Sequence, residues 1–276
     1  MKLVCGSRTL DLTSPVVMGI VNVTPDSFSD GGAFLGAAAA AGRVERVVEE
    51  GAAIVDIGGE STRPGAAPVP VTEEIDRVMP AIERAVKLPV VVSVDTSRPE
   101  VIRAAIAAGV HLVNDVRALT VPGALEAAAA GTVGVCVMHM GGEPAVMQDN
   151  PRYGDVVAEV AAHLDARVCA CVAAGIGRER IAIDPGFGFG KTLAHNLALL
   201  RRLDVFVARG LPILVGLSRK RMIGELTGRA VDGRLAGSVA LATIAALRGA
   251  SIVRVHDVAA TVDALRIVAA LGERTT

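Results

Sequence analysis

The chain has 276 residues, with 28 Lys and Arg against 29 Asp and Glu, a formal net charge of -1. That balance excludes a general nucleic-acid binder, which carries a basic excess, and 2% aromatic content with no Trp leaves little for stacking platforms. A composition 51% hydrophobic and 21% charged excludes a disordered chain and supports a sizeable core.

The predicted elements alternate along the chain. Runs rich in Val and Ile fall at Val16–Asn22, Ala53–Gly58, Val90–Asp95, His111–Asp115, Val133–His139, Arg180–Asp184, Ile213–Ser218 and Ser251–His256. Short, nearly all-apolar runs are how strands of a parallel sheet read, because helices cover both faces. Alanine-rich segments with helical spacing lie between them. In Thr72–Val86 the apolar residues Ile75, Val78, Met79 and Ile82 follow an i, i+3, i+4, i+7 pattern, and Thr72 followed by Glu73 and Glu74 reads as a capped start. Tyr153–Ala174 and Asp257–Leu271 repeat the pattern. Eight strand–helix units, without a linker to divide them, predict one α/β domain over residues 1–276. The expected fold is a closed (β/α)8 barrel, the TIM barrel, with a doubly wound open sheet as the alternative. Residues 2–12 precede the first barrel strand and are expected to form a short β-hairpin under the barrel's bottom.

The four cysteines, Cys5, Cys136, Cys169 and Cys171, show no C-x-x-C or zinc-finger spacing and read as reduced thiols, with Cys136 in the core. Met1–Thr13 lacks the apolar run of a signal peptide. The apolar stretch Leu235–Leu247 falls far short of the ~20 residues that span a bilayer. The expectation is a cytoplasmic protein without membrane or nucleic-acid partners.

Function is signalled by position. Nearly every apolar run ends in a polar residue: Asn22, Asp56, Asp95, Asn114 with Asp115, His139, Asp184, Ser218 and His256. One carboxylate at a strand end is as readily a helix cap, but eight converging polar ends are not explained by capping. In a parallel barrel they meet at the C-terminal face, where barrel active sites lie. Strand periodicity sends Arg254 and His256 the same way, towards the mouth, and Val253 and Val255 towards the helices. A cation inside a barrel needs a structural carboxylate or an anionic ligand. The ligand is the better reading, because long glycine-rich loops follow the strands at residues 22–32, 58–65 and 184–191. The last loop lacks the G-x-G-x-x-G dinucleotide register, and no Walker A loop is present. Lys220, just past a strand end and opposite Asp184, reads as a site residue. Arg221 and Lys191 read as solvated charges, and His139 as packing.

Together the stretches MGIVNVTPDSFSDGG, DIGGESTRPGA, SVDTSRPEV, NDV, MHM, IDPGFGFGKT, LVGLSRKRMIGELTG and VRVHDV resemble the dihydropteroate synthase family, in that family's order from Met18 to Val258. The resemblance implies a (β/α)8 fold. It also implies condensation of 6-hydroxymethyl-7,8-dihydropterin diphosphate with 4-aminobenzoate, giving 7,8-dihydropteroate and pyrophosphate, with Mg2+ assisting. Asp95, Asn114 and Asp184 would meet the pterin's amino-pyrimidine edge, Lys220 its carbonyl side, and Met138 its face. Asn22, Arg254 and His256 would hold the diphosphate, with Asn22 also ligating Mg2+. Phe28, Thr62, Arg63, Pro64, Phe189 and Ser218, beside Lys220, would form the 4-aminobenzoate pocket. Asp30 and Arg63 would close the first two loops over the intermediate, and Asp95, Lys220, Arg254 and His256 would complete the catalytic set. A homodimer and a sulfonamide target are implied as well. Two departures are Arg117 after NDV and Gly141 after MHM. The rivals are a non-catalytic pterin-binding paralogue, which would show eroded loops, and a pterin-dependent methyltransferase, which has no need of the Lys220, Arg254 and His256 set.

Overall fold

The computed structural model describes residues 1–23, 32–61, 69–142, 147 and 151–272. A two-stranded antiparallel hairpin, β1 (Lys2–Cys5) and β2 (Arg8–Asp11), opens the chain. Eight parallel strands follow: β3 (Val16–Asn22), β4 (Ile54–Gly58), β5 (Val91–Asp95), β6 (Leu112–Asp115), β7 (Gly134–Met138), β8 (Ile181–Asp184), β9 (Leu214–Val215) and β10 (Ile252–Val255). The hydrogen-bonded order runs from β8 down to β3 and then through β10 to β9. A parallel bridge between Ile183 and Ile213 brings β8 and β9 together, so the sheet closes into the expected (β/α)8 barrel.

Ten helices wrap the described part of this sheet: α1 (Gly32–Glu49), α2 (Val71–Ala85), α3 (Pro99–Ala107), α4 (Ala124–Ala129), α5 (Val156–Ala173), α6 (Leu193–Arg201), α7 (Asp204–Val207), α8 (Arg221–Thr227), α9 (Leu235–Leu247) and α10 (Val258–Leu271). None is long and apolar enough to cross a membrane. The two-residue period of the strands divides the apolar residues into two cores. Outward positions such as Val55, Val92, Val113, Val135, Val253 and Val255 join the helices in the larger one. Inward positions near the strand starts form the smaller: Met18, Ile54, Val91, Leu112, Cys136, Ala182, Leu214 and Ile252. Each barrel strand supplies one of these residues. The hairpin seals them from below with Leu3, Cys5, Leu10 and Leu12, as expected of residues 2–12.

One expectation about a helix start fails. Thr72 does not cap α2, which begins after Pro70 with no side-chain cap. Proline's fixed φ sets the helix entry instead. Glu73 and Glu74 do stand in the first turn, as expected, but Glu74 does not face solvent. It is buried, with its carboxylate taking the Thr96 hydroxyl at 2.6 Å and lying 3.0 Å from Arg98 Nε.

Because the hairpin side chains fill the barrel floor, truncating one leaves a cavity that eight strands cannot collapse around. Leu12→Ala, at a fully buried position, is expected to lose about 2–5 kcal/mol in urea unfolding. A loss under about 1 kcal/mol would make the hairpin a surface appendage, since such a small cost is typical of exposed sites.

Candidate functional site

Two residues further along the inward faces the barrel turns from apolar to polar. Asp56, Ser93, Asn114, Met138, Asp184 and Arg254 follow the floor residues at this level, one strand period closer to the mouth. Asp95 stands one period above Ser93 on β5. Arg254 organises the layer. Its Nε donates to Asp56 Oδ2 at 2.6 Å, and its Nη2 to Asp95 Oδ2 at 2.6 Å. Asp56 also accepts the Ser93 hydroxyl at 2.6 Å and the Asn114 amide at 3.2 Å. Burial opposes the charge on Arg254, but Asp56 and Asp95 outweigh it and hold the guanidinium pKa above its ordinary range. Three carboxylates, Asp56, Asp95 and Asp184, thus face two cations, Arg254 and Lys220, within one chamber. The excess of negative charge and the desolvation have a visible effect. Burial pushes Asp95 up to about 7; Arg254 pulls against it, while Asp56, Asp115 and Glu74 add to the rise.

Lys220, at the start of α8, enters from the opposite side. Its ammonium donates to the Phe187 carbonyl and stands 4.4 Å over the Phe189 ring. Burial lowers its pKa to about 8, and the nearby Asp184 opposes that fall. Asp184 is itself raised by burial, and its Oδ1 takes the Gly186 N–H at 2.7 Å.

Beyond the chamber lies a groove of about 610 Å³, lined by Asn22, Arg43, Arg46, Arg219 and His256 among others. The Ser218 hydroxyl accepts the His256 backbone N–H at 3.3 Å and lies 3.0 Å from its Nδ1. Arg43 donates to the His256 carbonyl at 2.8 Å. The groove carries both signs of charge: Arg46 pairs with Glu50 and Arg219 with Asp257, while Arg43, Asn22 and His256 add donors near the ends of β3 and β10.

Pterin binding enzymes, as a family, match residues 18–256. The dihydropteroate synthase of Escherichia coli K12 is 53% identical over 271 residues, covering 98% of this chain and 96% of the relative. The Xanthomonas albilineans dihydropteroate synthase solved with 4-aminobenzoic acid is 56% identical, with a TM-score of 0.93 and 98% of each chain covered. The Yersinia pestis enzyme in complex with a sulfonamide drug is 50% identical, with a TM-score of 0.94 and 99% of each chain covered. The chain belongs to the dihydropteroate synthase family.

Most residues that the family resemblance singled out do come together. Asp95, Asn114, Met138, Asp184, Lys220 and Arg254 share the chamber, with the Phe189 ring under Lys220. Asn22, Ser218 and His256 border the groove. Phe28, Asp30, Thr62, Arg63 and Pro64 lie outside the described residues. The stem of the second loop is nonetheless pinned. Glu60 accepts the Val69 N–H at 3.3 Å, and Arg98 donates to the Val69 carbonyl at 2.8 Å.

Strand-end polarity was not uniform in meaning. Asp115 faces away from the chamber and orders its own turn, taking the N–H groups of Arg117 at 2.8 Å and Leu119 at 2.7 Å. His139 is buried packing, as expected. Lys191 is not a solvated helix start: it is 3% exposed, enclosed by loop carbonyls. Gly141 finds its reason here, for a Cβ would sit 2.4 Å from the Tyr153 hydroxyl and 3.0 Å from the Gly190 carbonyl.

Sequence reasoning gave Asp56 no role, although its signal was available. It sits two residues past inward-facing Ile54, opposite Ser93 in register. Removing one partner of a buried ion pair leaves the other uncompensated, so Asp56→Ala is expected to cost about 3–5 kcal/mol in urea unfolding. A change within about 0.5 kcal/mol, as at an ordinary surface site, would mean Asp95 alone suffices to hold Arg254.

Proposed function

We propose that the chain makes 7,8-dihydropteroate and pyrophosphate from 6-hydroxymethyl-7,8-dihydropterin diphosphate and 4-aminobenzoate, a step of folate biosynthesis, and that it is a sulfonamide target. The observation that carries this reading is the layer of Asp95, Asn114, Asp184 and Arg254 inside the barrel mouth, with His256 and Asn22 at the adjoining ends of β10 and β3. The pterin ring presents N–H donors along its amino-pyrimidine edge, and Asp95, Asn114 and Asp184 supply acceptors inside the barrel. Lys220 donates to the ring's carbonyl side, and Met138 packs against its face. The diphosphate extends past Arg254 to His256 and Asn22. Arg254 keeps its geometry because Asp56 holds it from below.

Asn22 ends β3 with an exposed side chain, a neutral oxygen donor at the groove. Among the described residues no group of three His, Cys, Asp or Glu could cage a metal. That donor set fits Mg2+, which keeps waters and phosphate oxygens as most of its ligands. When bound, the ion neutralises charge on the diphosphate. The chain's own residues do the rest. Arg254 and His256 stabilise the negative charge that builds as the C–O bond to the diphosphate breaks and its electron pair departs with pyrophosphate. Asp95 and Asp184 stabilise the pterin cation left behind. The neutral arylamine then forms the C–N bond and passes its extra proton to the departing pyrophosphate, so no strong general base from the chain is needed. Phe28, Thr62, Arg63, Pro64, Phe189 and Ser218 hold 4-aminobenzoate, and closure involving Asp30 and Arg63 excludes water.

We read the assembly as a homodimer, supported by the exposed apolar side chains Leu226 on α8 and Leu235 and Ile244 on α9. A cytoplasmic setting is supported by four free cysteines, three of them buried.

Two measurements test this reading. Turnover with both substrates and Mg2+, followed by mass detection of dihydropteroate, is expected to fall about 10²–10³-fold in Lys220→Ala, as for loss of a donor in a water-poor site. Pterin binding by a wild type that makes no product would point to the non-catalytic paralogue. The second measurement is the pH dependence of binding. Asp95 is raised to about 7, so below that pH the empty site holds a proton that an N–H donor must displace. Affinity for 6-hydroxymethyl-7,8-dihydropterin, which lacks titrating phosphates, is expected to weaken by up to about tenfold per pH unit below that point and to level off above it. Asp95→Asn is expected to flatten the profile; an unchanged slope in that variant would remove Asp95 from the pterin edge.

A further inference from the structure

A second buried lysine lies behind the site, and the reaction makes no use of it. Lys191 precedes α6 and points inward. Its ammonium lies 2.9 Å from the Gly186 carbonyl, 3.0 Å from the Phe189 carbonyl, and 2.9 Å from His139 Nδ1, with the His139 carbonyl at 3.3 Å. Three N–H bonds thus find three close acceptors, one in the loop after β7 and two in the loop after β8. The arrangement resembles a carbonyl cage around a monovalent cation, with the lysine nitrogen in the ion's place; burial lowers the pKa of that nitrogen to about 7, Asp184 opposing and Lys220 adding to the fall. His139 can accept only if its Nδ1 carries no proton. Burial and the neighbouring Lys191 keep its imidazole neutral, with a pKa near 3.

The cage grips a particular segment. Gly186 and Phe189 are the ends of the four-residue turn Gly186–Phe189, which is closed by a Phe189 N–H to Gly186 carbonyl bond of 3.2 Å. Lys191 holds those two end carbonyls from behind. Lys220 meets the same turn from the site side, through the Phe187 carbonyl and the Phe189 ring. The turn is thin between them. A Cβ on Gly186 would fall 1.8 Å from the His139 carbonyl, and one on Gly188 would fall 2.9 Å from Lys220 Cδ. Both glycines have positive φ, +70° and +79°, so a side chain there is excluded by backbone conformation as well as by space. Asn196 adds one further tie, accepting the Gly188 N–H at 2.7 Å.

We propose that Lys191 is a positioning residue: its ammonium fixes the Gly186–Phe189 turn, and the turn in turn sets where the Lys220 ammonium stands over the pterin site. Lys191 touches no ligand and acts only through the turn. The inference rests on the assignment of Lys220 to the pterin, so the test separates the two.

The experiment is a double-mutant cycle in binding. Calorimetry gives the Kd for 6-hydroxymethyl-7,8-dihydropterin diphosphate with Mg2+ and without 4-aminobenzoate, for wild type, Lys191→Met, Lys220→Ala and the double variant. Lys191→Met is expected to weaken binding about tenfold in the wild-type background and less than about twofold when Lys220 is already absent, the signature of residues acting through one another. Equal losses in both backgrounds, or no loss in either, would overturn the proposal, because a purely structural lysine lowers folded stability without coupling to Lys220. If Lys191→Met does not fold, Lys191→Gln, which keeps an N–H donor, carries the same cycle with the same criteria. Undiminished binding by Lys220→Ala overturns the proposal too, and with it the pterin assignment; a weakened Lys220→Ala beside an unaffected Lys191→Met defeats the positioning role alone.

Discussion

The grip of Asp56 and Asp95 on Arg254 is the interaction on which the mouth of this barrel depends. A guanidinium cannot sit inside a sheet uncompensated, and two carboxylates cannot sit side by side without a cation between them. The three residues come from β10, β4 and β5, so the ion pairs also tie distant parts of the chain at one level of the barrel. Ser93 and Asn114 complete the network from β5 and β6 by satisfying Asp56. Below it the interior is apolar and sealed by the hairpin. Above it the strand ends carry the polar residues that converge on the chamber. Stability and chemistry are thus stacked along the barrel axis, with the Arg254 layer as the boundary.

Much of this was legible from the residues because parallel strands are simple to read. Covered on both faces, they leave apolar runs with abrupt polar ends, and a period of two assigns each side chain to a face. That is how Arg254 and His256 could be sent towards the mouth and Val253 and Val255 towards the helices. The strand bounds moved inward by a residue or so at several ends, and β9 shrank to Leu214–Val215, because Gly216, Leu217 and Ser218 leave the ladder to bring Lys220 round. What stayed hidden depended on long-range partners. The question left open for Arg254, structural carboxylate or anionic ligand, is answered within the fold by carboxylates, since Asp56 and Asp95 both pair with it.

Lys191 shows the same limit from the other side. A lysine directly before a helix is ordinarily solvated, and nothing local distinguishes this one. Its burial follows from glycines that bring two loops close enough for their carbonyls to need a donor. Thr72 misled for a related reason, since a good capping residue is not used when a proline two positions earlier already fixes the chain's entry into the helix. Asp115, at the very end of β6, lies one residue past Asn114, and strand parity separates this turn-forming carboxylate from the amide that faces the chamber.

The closure of the barrel has a consequence for its breathing. Neighbouring strands elsewhere are joined by continuous ladders, but β8 and β9 meet through the Ile183–Ile213 bridge and a bond from the Ile183 N–H to the Pro212 carbonyl at 2.9 Å. This seam is the weakest line in the cylinder. It is also flanked by the two segments that meet at Lys220, for β8 leads into Phe187 and Phe189 while β9 leads into Lys220. Any widening of the seam separates the Lys220 ammonium from the turn beneath it. The cylinder's least secured joint and the contact of Lys220 with its turn therefore share one coordinate.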